Sequence, residues 1–174
     1  MLDLPVLVNE YLRTKAHEHD KELDHFRRLR LPFTLEEAVN ARGADGKMLD
    51  HQHRVGKFKL AEAYKRLEPL LAQIEKCDSF DSLLSLIRQA TKDIPRFGDL
   101  AEYDTALRIG ARLGKLPTVV YLHAGTKAGA KRLGFDTSQE YLTMQEIEVR
   151  HPELLRLKEP HHIENFLCCS IPHE

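Results

Sequence analysis

Tryptophan is absent from this chain, and phenylalanine and tyrosine bring the aromatic share to only 7%. Few flat side chains are therefore on hand to stack on unpaired bases, which argues against an extended single-strand-binding surface. Cysteine is scarce. Cys77, Cys168 and Cys169 are odd in number and two are adjacent, which suits neither a disulfide framework nor a CxxC metal knuckle. Reduced, partly buried thiols are the expectation. No apolar run approaches the roughly 18 residues that a membrane helix needs. The opening Met1-Leu2-Asp3-Leu4-Pro5 lacks the basic and apolar regions of a signal peptide, so the sequence predicts a cytoplasmic protein without a membrane partner. Internal repeats and low-complexity tracts are missing as well.

What is present is enough for a core. With 174 residues, 42% hydrophobic and 30% charged, the composition predicts one compact domain. Charge is unevenly spread along it. Residues 1–87 hold 14 basic against 15 acidic side chains, residues 88–134 nine against four, and residues 135–174 three against eight. A basic middle is followed by an acidic end, whose charge could cover the basic surface, mimic a polyanion or, by default, simply be solvated.

Apolar spacing is helical almost throughout. Leu23, Phe26 and Leu29 form a thin stripe in a polar first segment closed by Pro32. There His17 and His19 sit two apart and face different ways, so His17-Glu18-His19-Asp20 reads as a solvated charged face and no metal site is expected. Thr34 with Glu37 is a capping-box pattern for a short helix that Gly43 ends, and Asp45-Gly46 marks a turn. Leu60, Tyr64, Leu67, Leu71 and Ile74 mark a core helix over 58–76 that Pro69 kinks or divides. Thr137 with Glu140 and Thr143 with Glu146 pattern two further helical turns, and Ile163, Phe166 and Leu167 dock the acidic end on the core. Thr118–Leu122 alone is β-rich, and a lone strand has nothing to pair with. The expected fold class is all-α, one multi-helix domain.

The stretch from Ser79 to Gly134 organises the rest. Ser79 is placed to cap a helix bearing Phe80, Leu83, Leu84 and Ile87, which Pro95 stops near Lys92. Asp99 and Glu102 form a capping-box pattern for a second helix through Leu100, Tyr103, Leu107 and Gly110. Between them Ile94-Pro95-Arg96-Phe97-Gly98 makes a tight hairpin, with Gly98 able to take a positive φ and turn amides outward. This stretch resembles the helix-hairpin-helix element of nucleic-acid-binding proteins, specifically the helix-hairpin-helix DNA glycosylase superfamily, whose hairpin amides hold a DNA phosphate. The family's hairpin is Leu-Pro-Gly-Val-Gly; here Arg96 replaces the first glycine. The family's catalytic aspartate follows a short apolar run; here Leu116–Leu122 is followed by His123. Its nucleophilic lysine falls where this chain has Asp99, Leu100, Ala101 and Glu102. Neither catalytic residue carries over. Tyr103–Gly110 and Val120–Thr126 are also similar to uncharacterised bacterial proteins, which implies no activity.

The candidate phosphate and nucleic-acid contacts are Arg96 and Gly98 in the hairpin, and Gly125, Thr126, Lys127, Lys131 and Arg132 in the glycine-rich turn. There Thr126 is read as the cap of a short helix ending at Gly134. His51, His53 and Arg54 in a polar loop join them. Asp104, Arg108 and Arg112 lie at i, i+4 and i+8 as a polar stripe, a surface pair or a ligand-orienting one. Gly110 in that helix implies close approach of a neighbouring segment.

Three functions follow as expectations. The first is a nucleic-acid backbone binder, duplex DNA favoured. The second is an enzyme on nucleic acid or a nucleotide, with His123 as acid or base beside Asp104 and Arg108. The third is a non-catalytic module that meets an acidic protein partner. No cofactor is implied.

Overall fold

A computed structural model describes residues 2–49 and 54–172. It is mostly helical, and its contacts fall into two units: residues 1–20 with 117–174, and residues 21–116. His51 and His53 lie outside the described residues. Among the described residues no helix is long and apolar enough to cross a membrane.

The first unit is drawn from both ends of the chain. Helix α1 (Leu4–Thr14) starts where Asp3 accepts the Val6 amide at 3.2 Å, with Pro5 in the first turn where its missing N–H costs nothing. Its buried face, Leu4, Val8 and Tyr11, joins a core with Val120, Leu122, Ile147, Leu154, Ile163, Phe166 and Leu167. The unit also holds the start of α2 (Ala16–Arg28), then β1 (Val120–Tyr121), α8 (Ala124–Arg132), β2 (Tyr141–Leu142), α9 (Met144–Arg150), a 3-10 segment (Pro152–Leu157) and α10 (Pro160–Cys169). Ile163, Phe166 and Leu167 of α10 are fully buried, so the acidic end does dock through them. Thr143 and Glu146 form the expected capping box of α9. Thr137 and Glu140 do not cap a helix. That segment bends and then extends, and Tyr141–Leu142 pairs antiparallel with Val120–Tyr121, Val120 opposite Leu142. The apolar run therefore finds a strand partner in a segment whose capping pattern predicts helix.

Continuous sequence builds the second unit. After α2 come α3 (Leu31–Val39), α4 (Lys57–Leu67), a 3-10 turn (Glu68–Leu70), α5 (Leu71–Glu75), α6 (Phe80–Thr91) and α7 (Asp99–Leu113). Pro32 opens α3 instead of merely closing α2, and Thr34 is not a cap: it lies inside α3, donating to the Leu29 and Arg30 carbonyls. Gly46, at φ 70°, makes the turn that Asp45-Gly46 signals. Pro69 divides the long helix as its ring requires, with a 3-10 turn between α4 and α5. Ser79 and Ser82 exchange hydrogen bonds as a capping box at the head of α6. Helix α7 is buried on almost every side, and α6 lays Phe80, Leu83, Leu84 and Ile87 against it. Gly110 is necessary there, since a Cβ would stand 2.3 Å from the Lys115 carbonyl oxygen as the chain turns back after the helix.

Candidate nucleic-acid interface and a buried polar centre

The hairpin between α6 and α7 is a turn closed by the Phe97 amide on the Ile94 carbonyl at 3.2 Å. Ile94 and Phe97 are buried and anchor it, while Lys92, Pro95, Arg96 and Gly98 face solvent. The backbone bends differently from the sequence expectation. Gly98 is extended, with φ −101° and ψ −165°, and the left-handed position falls on Arg96, at φ 69°. Pro95 presets the first central position of the turn, and Arg96 takes the second, the place a glycine fills most cheaply. Gly98 is the N-cap of α7, and no side chain among the described residues caps it. The first amides of α7 are thus left to solvent or a ligand.

Asp99 and Glu102 do not form the capping box. Glu102 turns inward, where its carboxylate accepts the Thr91 hydroxyl at 3.1 Å and lies 3.7 Å from Arg88 Nε. It ties α7 to α6 behind the hairpin. Burial pushes its pKa up, against the pull of Thr91 and Arg88.

Asp104 and Arg108 come together, but not as a surface pair. Arg108 is 3% exposed; its Nε reaches Glu22 at 3.0 Å, Nη2 lies 3.8 Å from Asp104, and Nη1 donates to the Ala38 carbonyl at 3.3 Å. Its guanidinium also lies 5.8 Å from the centre of the Phe26 ring. Committed to these groups, Arg108 holds α2, α3 and α7 together. Arg112 and Arg54 are exposed.

In the first unit β1 leads into α8, and His123 is the N-cap by position. Its side chain turns into the interior, 5% exposed. There Nε2 lies against Glu164 Oε1 and 2.9 Å from the Thr126 hydroxyl, which donates to the same carboxylate at 2.8 Å. Thr126 is therefore the third residue of α8 and a member of this network, not its cap. A carboxylate of the chain itself meets the first turn of α8, where the sequence suggests an external anion. Gly125 and Gly129 face α10: a Cβ on Gly125 would stand 2.7 Å from Cys168 Sγ, and one on Gly129 2.0 Å from the Leu167 carbonyl oxygen. Lys127, Lys131 and Arg132 are exposed, and Arg132 donates to the Pro172 carbonyl at 2.7 Å.

Glu164 and Cys168 escape a reading of the sequence that follows apolar residues alone. The signal is nonetheless there: His161, Glu164 and Cys168 stand at i, i+3 and i+7 and share a face of α10. His123, Glu164 and Cys168 each offer a donor atom within 4.8 Å of the others. Cys168 also borders an open surface depression lined by Cys168 to Pro172. Imidazole, carboxylate and thiol brought together can move a proton or hold a soft-to-borderline metal ion. Comparison with protein-family models, curated proteins and solved structures finds no match to this chain.

Proposed function

We propose that this chain binds the phosphate backbone of nucleic acid, duplex DNA foremost, through the helix-hairpin-helix-like element formed by α6, the hairpin and α7. The observation that carries the reading is the exposed start of α7 at Gly98, whose amides no described side chain caps, beside the outward-facing Arg96 and Lys92. Free amides, a helix dipole and two cations are what a phosphate oxygen requires. Asp93 and Asp99 in the same exposed segment limit the attraction, so the contact neutralises only one or two phosphates.

The test is binding of a fluorescent duplex across a salt series, with wild type beside Arg96→Ala and a Lys127, Lys131 and Arg132 triple-alanine variant. We expect salt-sensitive binding that weakens in Arg96→Ala, with the slope of log affinity against log salt falling by about 1. No binding at low salt, or binding untouched by Arg96→Ala, overturns the hairpin assignment. Loss confined to the triple variant moves the contact to α8. A stable complex with an acidic protein that DNA does not displace favours the interaction-module reading.

A second reading has its own support in the buried His123, Thr126 and Glu164 network, with the Cys168 thiol beside it. It makes the first unit an enzyme on a nucleotide or nucleic acid, with His123 as acid or base and Glu164 as the group that orients it. Turnover of such a substrate that survives His123→Ala excludes it.

A further inference from the structure

Helix α10 opens with two histidines directly after Pro160, and both are buried, His161 at 2% and His162 at 7% exposure. His162 Nε2 lies 2.9 Å from Asp20 Oδ1. Asp20, His161 and His162 each present a donor atom within 4.8 Å of the other two. The His19 ring packs on both histidines, its centroid 5.4 Å from that of His161 and 5.1 Å from that of His162, while the two α10 rings stand 4.8 Å apart. Three imidazoles and a carboxylate thus converge at one place in the first unit, distinct from the His123 network.

We propose that Asp20, His161 and His162, with His19 alongside, bind a first-row divalent transition metal ion, zinc foremost. Imidazole nitrogen with one carboxylate oxygen is the donor set that suits zinc and its neighbours. Two donors on a tetrahedral ion with bonds of about 2 Å stand about 3.3 Å apart. The His162 to Asp20 spacing is already close to that edge. The ring is also held from behind: His162 Nδ1 lies 3.1 Å from the Tyr11 hydroxyl, which accepts the Asn165 amide at 3.0 Å. This is the outer arrangement that fixes a ligating histidine, one nitrogen turned to the ion and the other tied to a protein partner. Asp20, whose side chain is 53% exposed, puts the site at the surface, where an ion can arrive and water can complete its coordination. This site stands whether or not the chain binds nucleic acid.

Untagged full-length protein, stripped with a chelator and dialysed, is titrated with zinc by calorimetry and with cobalt by visible absorption. We expect one ion per chain, and cobalt ligand-field bands without a thiolate charge-transfer band. Asp20→Asn, a surface substitution that leaves the core intact, and His162→Gln should each weaken binding at least tenfold. Tyr11→Phe, which removes the outer partner of His162 together with the acceptor of the Asn165 amide, should weaken it about ten- to a hundredfold. Cys168→Ser should leave it unchanged. Circular dichroism confirms that each variant is folded, and Asp20→Asn decides if His162→Gln is not. Absence of zinc binding by the wild type, survival of binding in Asp20→Asn, or its loss in Cys168→Ser with a thiolate band overturns the proposal.

Discussion

Glu102 shows how one side chain can change its role between pattern and structure. Three residues after Asp99 it has the spacing of a capping box, yet its carboxylate is buried against Thr91. Burial is the larger influence on it, raising its pKa above the ordinary carboxylate value. A carboxyl that is harder to ionise when folded takes up protons on folding. Stability should therefore fall as pH rises from the ordinary carboxylate range through the raised value. Glu102→Gln keeps an acceptor for Thr91 and cannot ionise. Its urea midpoint should change less across that window than the wild type's and exceed it above the window; parallel profiles would disprove the assignment. Arg108 makes the same point about legibility. Its i, i+4 spacing to Asp104 was readable, but Glu22 and the Ala38 carbonyl, 86 and 70 residues away, were not, and they take the residue from the surface into the interior.

Among the elements, those set by local chemistry were legible from sequence. Ser79 caps α6, Thr143 and Glu146 box α9, Pro69 divides α4 from α5, and Gly110 marks a close approach, all within a few residues of their cause. Elements that depend on distant partners were not. Tyr141–Leu142 becomes a strand because Val120–Tyr121 is there to pair with it, and the left-handed hairpin position fell to Arg96 although glycine is the usual occupant. The glycines of α8 carried two readings, phosphate approach and tight packing, and their contacts with α10 account for them by packing. Gly129→Ala tests that account. Helix propensity alone would make the change stabilising by about 1 kcal/mol. A Cβ 2.0 Å from the Leu167 carbonyl oxygen should reverse the sign and destabilise by about 2–3 kcal/mol in denaturant titration. Gly125→Ala should cost less, because a thiol at the end of a side chain can move and backbone cannot. A stabilised Gly129→Ala protein would show that α8 and α10 are not so close.

For the molecule as a whole, the division of the chain matters most. One unit is continuous from residue 21 to 116, and the other joins residues 1–20 to 117–174. Apolar content and length do not reveal which segments associate, so this division was not legible in the composition. Helix α10 is central to the discontinuous unit, meeting α8, β1 and the 3-10 segment. Removal of residues 160–174 should abolish hydrogen-exchange protection in α1 and α8 while α6 and α7 keep theirs; uniform loss in all four would mean that the units are not separable. The same layout bears on the order of events at the ribosome. Everything the second unit needs has been polymerised by Leu116, whereas Tyr11 must wait 151 residues for His162. A nascent chain stalled between those points would carry a finished unit beside an orphaned amphipathic N-terminal helix, the form in which this protein has most need of a chaperone.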